Sequence, residues 1–96
     1  MTDYSYHPAA EAEYLDAFRR YGASNPRAAL GFERAVEDAI QKIVAMPQAY
    51  PVLDRRHRMF KLRNYPYYLV YREEAGGVLI VSVAHTARQQ GFWKGR

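Results

Sequence analysis

The chain contains no cysteine, so it has neither disulfides nor thiolate metal ligands. Its longest aliphatic run, Val78 to Val81, is far too short to cross a bilayer. The first residues have neither the basic start nor the apolar stretch of a secretory signal peptide. These absences lead us to expect a soluble cytoplasmic protein without a membrane partner.

Motifs for nucleotide, metal or covalent chemistry are also missing. No glycine-rich loop leads from a strand into a helix, and Gly76-Gly77 is better explained as a hairpin turn. His7, His57 and His85 lack the spacing of helical metal ligands. No serine lies in a recognisable nucleophile motif. We therefore predict no cofactor and no metal.

Positive charge is concentrated in the second half of the 96 residues. Residues 50–96 contain nine Lys and Arg and three Asp and Glu, which gives a charge of +6. Residues 1–49 contain five Lys and Arg and seven Asp and Glu, which gives −2, and the two halves add up to the net charge of +4. Such a split points to an anionic partner for the second half. The length suits one domain with a single core, although its 49% hydrophobic content includes 9 Tyr, whose hydroxyls need water or a partner.

The first half is predicted to form a short strand and two helices. Tyr4–Tyr6 alternates like a strand, and the apolar spacing that follows predicts a helix ending at Gly22. Asn25 is a good N-cap and Pro26 suits the first position of a second helix, which ends before Pro47. The short loop between the helices predicts an antiparallel hairpin.

Three strands joined by short turns are predicted in the second half, near residues 57–64, 66–73 and 77–85. On the first of them, Phe60 and Leu62 face one side, whereas Lys61 and Arg63 face the other. The predicted fold is α+β, with an N-terminal strand, a helical hairpin and a three-stranded antiparallel meander. The helices pack on one face of the meander, and residues 1–96 form a single domain.

The last predicted strand is apolar on both faces from Val78 to Val83, which is typical of a central strand with both faces covered. Two helices can cover only one face. The other face is left to the C-terminal residues, where Phe92 and Trp93 are available, or to a second protein. We therefore expect the chain to fold poorly alone or to dimerise, and to be stabilised by a partner on this second face.

A basic cluster accompanies the first of the three strands: Arg55, Arg56, Arg58, Lys61 and Arg63. It is either a solvated strand that resists edge-to-edge aggregation, or a surface for phosphates or for an acidic partner protein. Four tyrosines follow it, namely Tyr65, Tyr67, Tyr68 and Tyr71. They could stack bases, but alternating aromatics more often pack a small sheet.

His85 and Arg88 lie just past the last strand. A histidine for proton transfer beside an arginine for an oxyphosphorane would make a minimal metal-independent ribonuclease site. The residues by themselves favour a plainer interpretation, in which a histidine ends a strand and an arginine lies in an exposed tail.

Six motifs occur in order along the chain: Ala-Glu-x-Glu-Tyr-Leu, Ala-Ile-x-x-Ile-x-x-x-Pro, Arg-x-Phe-x-Leu-Arg, Tyr-Pro-Tyr-x-Leu-Val-Tyr, Ile-x-Ser-Val-x-His and a terminal Arg…Phe-Trp. From about Tyr4 to Trp93 their order and spacing resemble the RelE/ParE superfamily. Its members are toxins of type II toxin–antitoxin modules and are often called plasmid stabilisation proteins. No single motif is very specific, and the resemblance depends on the order in which the motifs follow one another along the chain.

The superfamily has two main activities: RelE-type members cut mRNA on the ribosome, and ParE-type members inhibit DNA gyrase. RelE-like nucleases have an Arg before the Leu-Val-Tyr of the middle strand, another three residues after the Ser-Val of the last strand, and often a C-terminal Tyr. The corresponding positions here are Tyr68, Thr86 and Phe92. Because the groups that would steady a phosphorane and move a proton are missing, the resemblance favours the ParE-like side.

The resemblance thus implies a growth-inhibiting toxin that acts through DNA gyrase and is neutralised by a cognate antitoxin, which we expect to be acidic and amphipathic. It leaves open a homodimer or a toxin–antitoxin hetero-oligomer. In this interpretation no residue is catalytic. The predicted partner-binding residues are Arg58, Lys61, Arg63, Arg88 and Trp93.

Two alternatives stay open. One is a ribosome-dependent mRNA endoribonuclease, with the ribosome and mRNA as partners. Its catalytic residues would be His85, Arg88, Arg63 and Lys61. The other is a small basic nucleic-acid-binding or scaffold protein that has kept the fold.

Overall fold

The structure is a computed structural model and describes residues 3–96. Its elements along the chain are β1 (Tyr4–Tyr6), α1 (Pro8–Ser24), α2 (Pro26–Ala45), β2 (Arg58–Lys61), β3 (Tyr67–Glu74) and β4 (Gly77–His85). The predicted α+β class and the predicted order of elements are confirmed. Within the described residues, neither helix combines the length and apolar character that a membrane crossing requires.

The two helices form the predicted hairpin, and each begins with a side-chain cap. His7 on α1 and Asn25 on α2 each accept a hydrogen bond from the backbone N–H two residues further on, both at 3.0 Å. The prediction that α1 ends at Gly22 is wrong, because the helix continues to Ser24. The Asn25 N–H still reaches the Tyr21 carbonyl at 2.7 Å, which closes one more helical turn.

The four strands form one sheet in the order β1-β4-β3-β2. The last three strands are the predicted antiparallel meander, but β1 pairs with β4 in parallel, so the sheet is mixed. The apolar strand β4 is central, as its two-sided pattern predicted. Strand β2 is shorter than predicted because Asp54 holds His57 in the preceding loop, and the chain turns at Asn64, whose φ is 69°.

The main core lies between the helices and one face of the sheet. The predicted apolar stripe of α2 is buried there, with Phe32, Val36, Ile40 and Ile43 at 2% exposure or less. Phe60 and Leu62 pack against this core, as predicted. The prediction that Arg63 faces the opposite side is wrong, because the strand ends at Lys61 and Arg63 lines a groove with Phe60 and residues of α2. We call this side of the sheet the helix face.

A second, smaller core covers the opposite side of the sheet, the tail face. It is closed by residues 86–96, which we call the tail. Trp93 packs there against Tyr68, Val70, Val81 and Ala84. From the sequence, either the C-terminal residues or a second protein was expected to cover this face, and in the structure the C-terminal residues cover it. The expectation that the chain folds poorly alone depended on an uncovered face, and it loses that basis.

Candidate functional site

A cluster of charged side chains lies where α1, β4 and the tail meet, with Glu13 at its centre. The Glu13 carboxylate accepts hydrogen bonds from Ser82 Oγ at 2.8 Å and from the Val83 N–H at 3.1 Å. It also binds Arg88 at 3.0 Å and Arg96 at 2.9 Å. Burial favours a higher pKa for Glu13, but the hydrogen bonds from Arg96, Ser82 and the Val83 N–H outweigh it and lower the pKa below the usual 4.5.

This cluster compensates for the shortness of β1. Strand β1 pairs with β4 only as far as Ile80, so beyond that residue one edge of β4 has no strand beside it. Glu13 accepts the hydrogen bond of the Val83 N–H, and Arg96 Nη1 donates to the Val81 carbonyl at 3.0 Å. Two side chains therefore satisfy backbone groups that a longer β1 would have paired.

His85 ends β4 beside this cluster. Its Nδ1 accepts a hydrogen bond from the Ala87 N–H at 2.9 Å, so a neutral His85 carries its proton on Nε2. Together with Glu13 and Arg88, it lines a cavity of about 140 Å³. The structure thus brings His85 and Arg88 together, as predicted for neighbours in sequence, but the Arg88 guanidinium is paired with Glu13.

The predicted partner-binding cations of the β2 region lie elsewhere on the surface. Arg58 is half-buried, and its Nη1 donates to the Tyr50 carbonyl at 2.8 Å. Lys61 Nζ donates to two backbone carbonyls of the following turn, at 2.9 and 3.0 Å. Arg63 is exposed and lines a groove beside α2. None of these three cations forms an ion pair within the described part of the chain.

The residues of the nuclease alternative do not converge on one place. Lys61 pairs with Tyr68 on β3, and Tyr68 pairs with Ala84 on β4. Because cross-strand partners share a face, Lys61 belongs to the tail face, where Tyr68 and Ala84 pack. His85 follows Ala84 and therefore belongs to the helix face. Arg63 lines a different cavity from the one that His85 lines.

Trp93, another predicted partner-binding residue, is only 3% exposed. Its ring lies 4.8 Å from the His57 ring, centroid to centroid. Trp93 Nε1 and Tyr68 Oη are both buried and have no hydrogen-bond partner among residues 3–96. A direct contact between Trp93 and a partner protein would require the tail to leave this position.

Sequence reasoning missed a buried polar network beneath the tail. Arg72 Nη1 donates to His57 Nε2 at 3.1 Å, and because a guanidinium can only donate, His57 Nδ1 carries the proton that goes to Asp54 at 2.9 Å. Arg72 also donates to Glu74 at 2.8 Å and to the Arg96 carbonyl at 3.1 Å. The available signal was Arg72 itself, a charged residue within a predicted strand, because a charged residue that becomes buried is almost always paired.

The remaining candidates have structural roles. Tyr67, Tyr68 and Tyr71 are buried, and the Tyr65 hydroxyl donates to the Ala28 carbonyl at 3.0 Å, so the packing interpretation of these tyrosines is confirmed. In residues 3–96, no three His, Asp or Glu side chains are grouped as they would be around a metal ion.

A family model described as ParE toxin of type II toxin-antitoxin system, parDE, matches residues 4–90. The chain belongs to this family. A solved structure titled "Chromosomal ParDE TA system from P. aeruginosa" has a TM-score of 0.73 to this ParE-family chain, with 17% sequence identity. The match covers 88% of this chain and 96% of that one, and at this identity it concerns the fold. A search of curated protein sequences gave no match.

The structure shows the surroundings of the three positions at which the sequence departs from RelE-like nucleases. In this ParE-family chain, Tyr68 is buried in the second core and Thr86 is exposed. Phe92 stacks under Arg88, whose Cζ lies 3.5 Å from the ring centroid. Phe92 therefore helps to hold the Arg88 side chain that Glu13 also binds.

Proposed function

We propose that this ParE-family protein inhibits growth in the cytoplasm by binding DNA gyrase, and that a cognate antitoxin neutralises it. The observation that carries the proposal is the family match over residues 4–90. The gyrase target is the one that the resemblance to ParE-type toxins implies. Antitoxin binding agrees with the printed description of the family as part of a toxin–antitoxin system.

The geometry of the candidate nuclease groups supports binding rather than catalysis. A general base and the groups that steady a phosphorane must reach the same few atoms, at about 2.6–3.2 Å. Here Lys61 and His85 belong to opposite faces of the sheet, and Arg88 is engaged by Glu13 and Phe92. An arrangement of this kind offers charge to a partner surface without assembling a reaction centre.

The test of the gyrase proposal is to induce the protein and measure which process fails first. Gyrase inhibition predicts loss of plasmid supercoiling before translation stops, and inhibition of supercoiling by purified gyrase when the toxin is added. Early loss of translation with ribosome-associated mRNA fragments would instead support the endoribonuclease alternative. The discriminating variant is His85→Ala, because only the nuclease alternative gives this residue a proton to move.

Neutralisation is tested with the product of a neighbouring short reading frame. Reversing the charges of Arg58, Lys61 and Arg63 should slow association with this antitoxin and reduce its dependence on salt, since these cations lack ion-pair partners among residues 3–96. A matched control reverses Arg19, Arg27 and Lys42, which are exposed on the helices and do not line the groove of Arg63. Equal association rates for the two triple variants at low salt would show that the basic strand is only a solvated face.

The same complex allows the oligomeric state to be measured. We expect a toxin–antitoxin hetero-oligomer, and light scattering of the purified complex gives its stoichiometry. A toxin that elutes as a homodimer without antitoxin would favour the other state that the family resemblance leaves open.

A further inference from the structure

A cavity of about 420 Å³ lies between residues 52–58 and the end of β3. Four arginines line it: Arg55, Arg56, Arg58 and Arg72. Only two carboxylates, those of Asp54 and Glu73, are present to balance them. We call this concavity the arginine cavity. It overlaps the predicted partner-binding residues only at Arg58.

Two of the charged groups in the wall of the arginine cavity are already occupied by internal contacts. Asp54 accepts hydrogen bonds from the N–H groups of Arg56 and His57, both at 2.8 Å, and from the His57 ring. The hydrogen bond from the Arg56 N–H is the main cause of a lowered pKa for Asp54. Arg72 is 9% exposed and donates to Glu74, His57 and Arg96. These groups hold the loop in shape and are not available to a ligand.

The other three arginines are available. The side chains of Arg55 and Arg56 are exposed and make no ion pair or hydrogen bond within residues 3–96, while their backbone is fixed by the Asp54 turn. Arg58 is anchored through Nη1 to the Tyr50 carbonyl, which leaves the rest of its guanidinium for another acceptor. Arg58, whose guanidinium is already positioned, should lose little conformational freedom when it binds, and a guanidinium suits a carboxylate well.

The rim of the arginine cavity is apolar as well as basic. Val52 lines it and is 62% exposed. Met46, 63% exposed, belongs to the same connection between α2 and β2, in which Gln48 approaches Glu73 on the cavity wall at 3.5 Å. An exposed apolar side chain, Val52, beside cations without ion-pair partners in residues 3–96 matches a ligand that is amphipathic and acidic.

We infer that the arginine cavity is an anchoring site for carboxylate side chains of an acidic, amphipathic peptide segment of a partner protein. Arg58 binds the carboxylate inside the cavity, Arg55 and Arg56 bind at its rim, and Val52 contacts the apolar side of the peptide. In the proposed function the partner is the antitoxin, and to that extent the inference rests on it. Nucleic acid fits less well, because the exposed Val52 offers nothing to a phosphate and the Tyr71 ring in the cavity wall is buried, so it cannot stack on a base.

The experiment is a titration of the ¹⁵N-labelled full chain, followed by backbone and arginine side-chain NMR signals. The probe is a synthetic peptide that carries glutamates on one helix face and leucines on the other. The same peptide with lysines in place of glutamates, and a short DNA duplex, are the comparison ligands. We expect the acidic peptide alone to shift the signals of residues 52–58. Shifts there from the DNA duplex alone, or no shift from any ligand, would overturn the inference.

Charge-reversal variants localise the binding. The double variant Arg55→Glu/Arg56→Glu should weaken acidic-peptide binding about tenfold or more, because it replaces attraction by repulsion at the rim. The control Arg19→Glu/Arg27→Glu makes the same change of net charge on the exposed helical hairpin and should have a much smaller effect. All four positions are exposed, so both variants should keep the wild-type Tm. If both double variants weakened peptide binding equally, the effect would come from net charge alone, and the inference would be overturned.

The test of the peptide site can be separated from the test of the proposed function, because the peptide titration is carried out on the purified chain and does not depend on whether the protein is toxic. If induction arrests growth but the peptide leaves residues 52–58 unshifted, the anchoring site is refuted and the toxin proposal stands. If the peptide binds at the arginine cavity but induction leaves growth and supercoiling unchanged, the toxin proposal fails and the peptide site stands.

Discussion

Replacing Glu13 with alanine should destabilise the fold by about 3–5 kcal/mol. The Ser82 hydroxyl and the Val83 N–H are completely or largely buried and would each lose their partner, which costs about 1–3 kcal/mol per group. The side chain of Arg96, only 16% exposed, would lose its carboxylate but keep the Val81 carbonyl. The Arg88 side chain is 51% exposed, so its ion pair with Glu13 contributes little to this loss.

Thermal and urea denaturation of the purified chain measure the effect. At this chain length each kcal/mol lowers Tm by about 4–8 °C, so the Glu13→Ala variant should melt at least about 12 °C below the wild type. Glu11→Ala is the matched control, because Glu11 lies on the same helix, is exposed and should cost at most about 1 kcal/mol. Glu13→Gln keeps an acceptor for the buried donors but loses the charge, and should lie between the two.

The result that would refute this reasoning is a similar, small loss for Glu13→Ala and Glu11→Ala. It would mean that water satisfies the Ser82 hydroxyl and the Val83 N–H when the carboxylate is removed. The edge of β4 would then be solvated and would not depend on the side chains that meet there.

Three further outcomes follow from the described contacts. Because the pKa of Glu13 is lowered in the folded state, its contribution to stability is complete above the usual value of about 4.5 and is lost as the pH falls through the lower folded value; acid-denaturation curves should therefore be flatter for Glu13→Gln than for the wild type. His85→Ala should retain growth inhibition in an induction assay, whereas ribonuclease chemistry would make it lose about two to four orders of magnitude in cleavage rate. Trp93→Ala should lower stability by about 3–5 kcal/mol in urea denaturation, since the ring is buried. Trp93→Phe should lose much less and retain growth inhibition, because the indole N–H that it removes has no partner within residues 3–96. A toxic, stable Trp93→Ala variant would contradict the role of the tail as a cover.

The features that the sequence predicted well depend on local patterns. The apolar stripe of α2 and the cap at Asn25 can be recognised within a few residues, because helical spacing and capping are local. The central position of β4 follows from an apolar character on both faces, which an edge strand could not bury. The same pattern identified the tail face, although it did not decide between the tail and a second protein as its cover.

The features that were missed depend on contacts between distant parts of the chain. Glu13 has the helical spacing of a solvent-facing residue, but its partners Ser82 and Arg96 lie 69 and 83 positions further on. Similarly, His57 and Arg72 are hydrogen-bonded although 15 positions separate them along the chain, and no local pattern indicates this contact. In both networks the polar groups that meet come from separate parts of the chain, so only the packed structure shows which of them are neighbours.

The way in which side chains complete the edge of β4 has a consequence for self-association. An open strand edge is a template on which another chain can add a strand, and repeated addition leads to aggregates. Along β4 beyond Ile80, an incoming strand would first have to displace the ion pair between Glu13 and Arg96, which already satisfies Val83 and Val81. The charged pair therefore protects this part of the β4 edge from the addition of another strand.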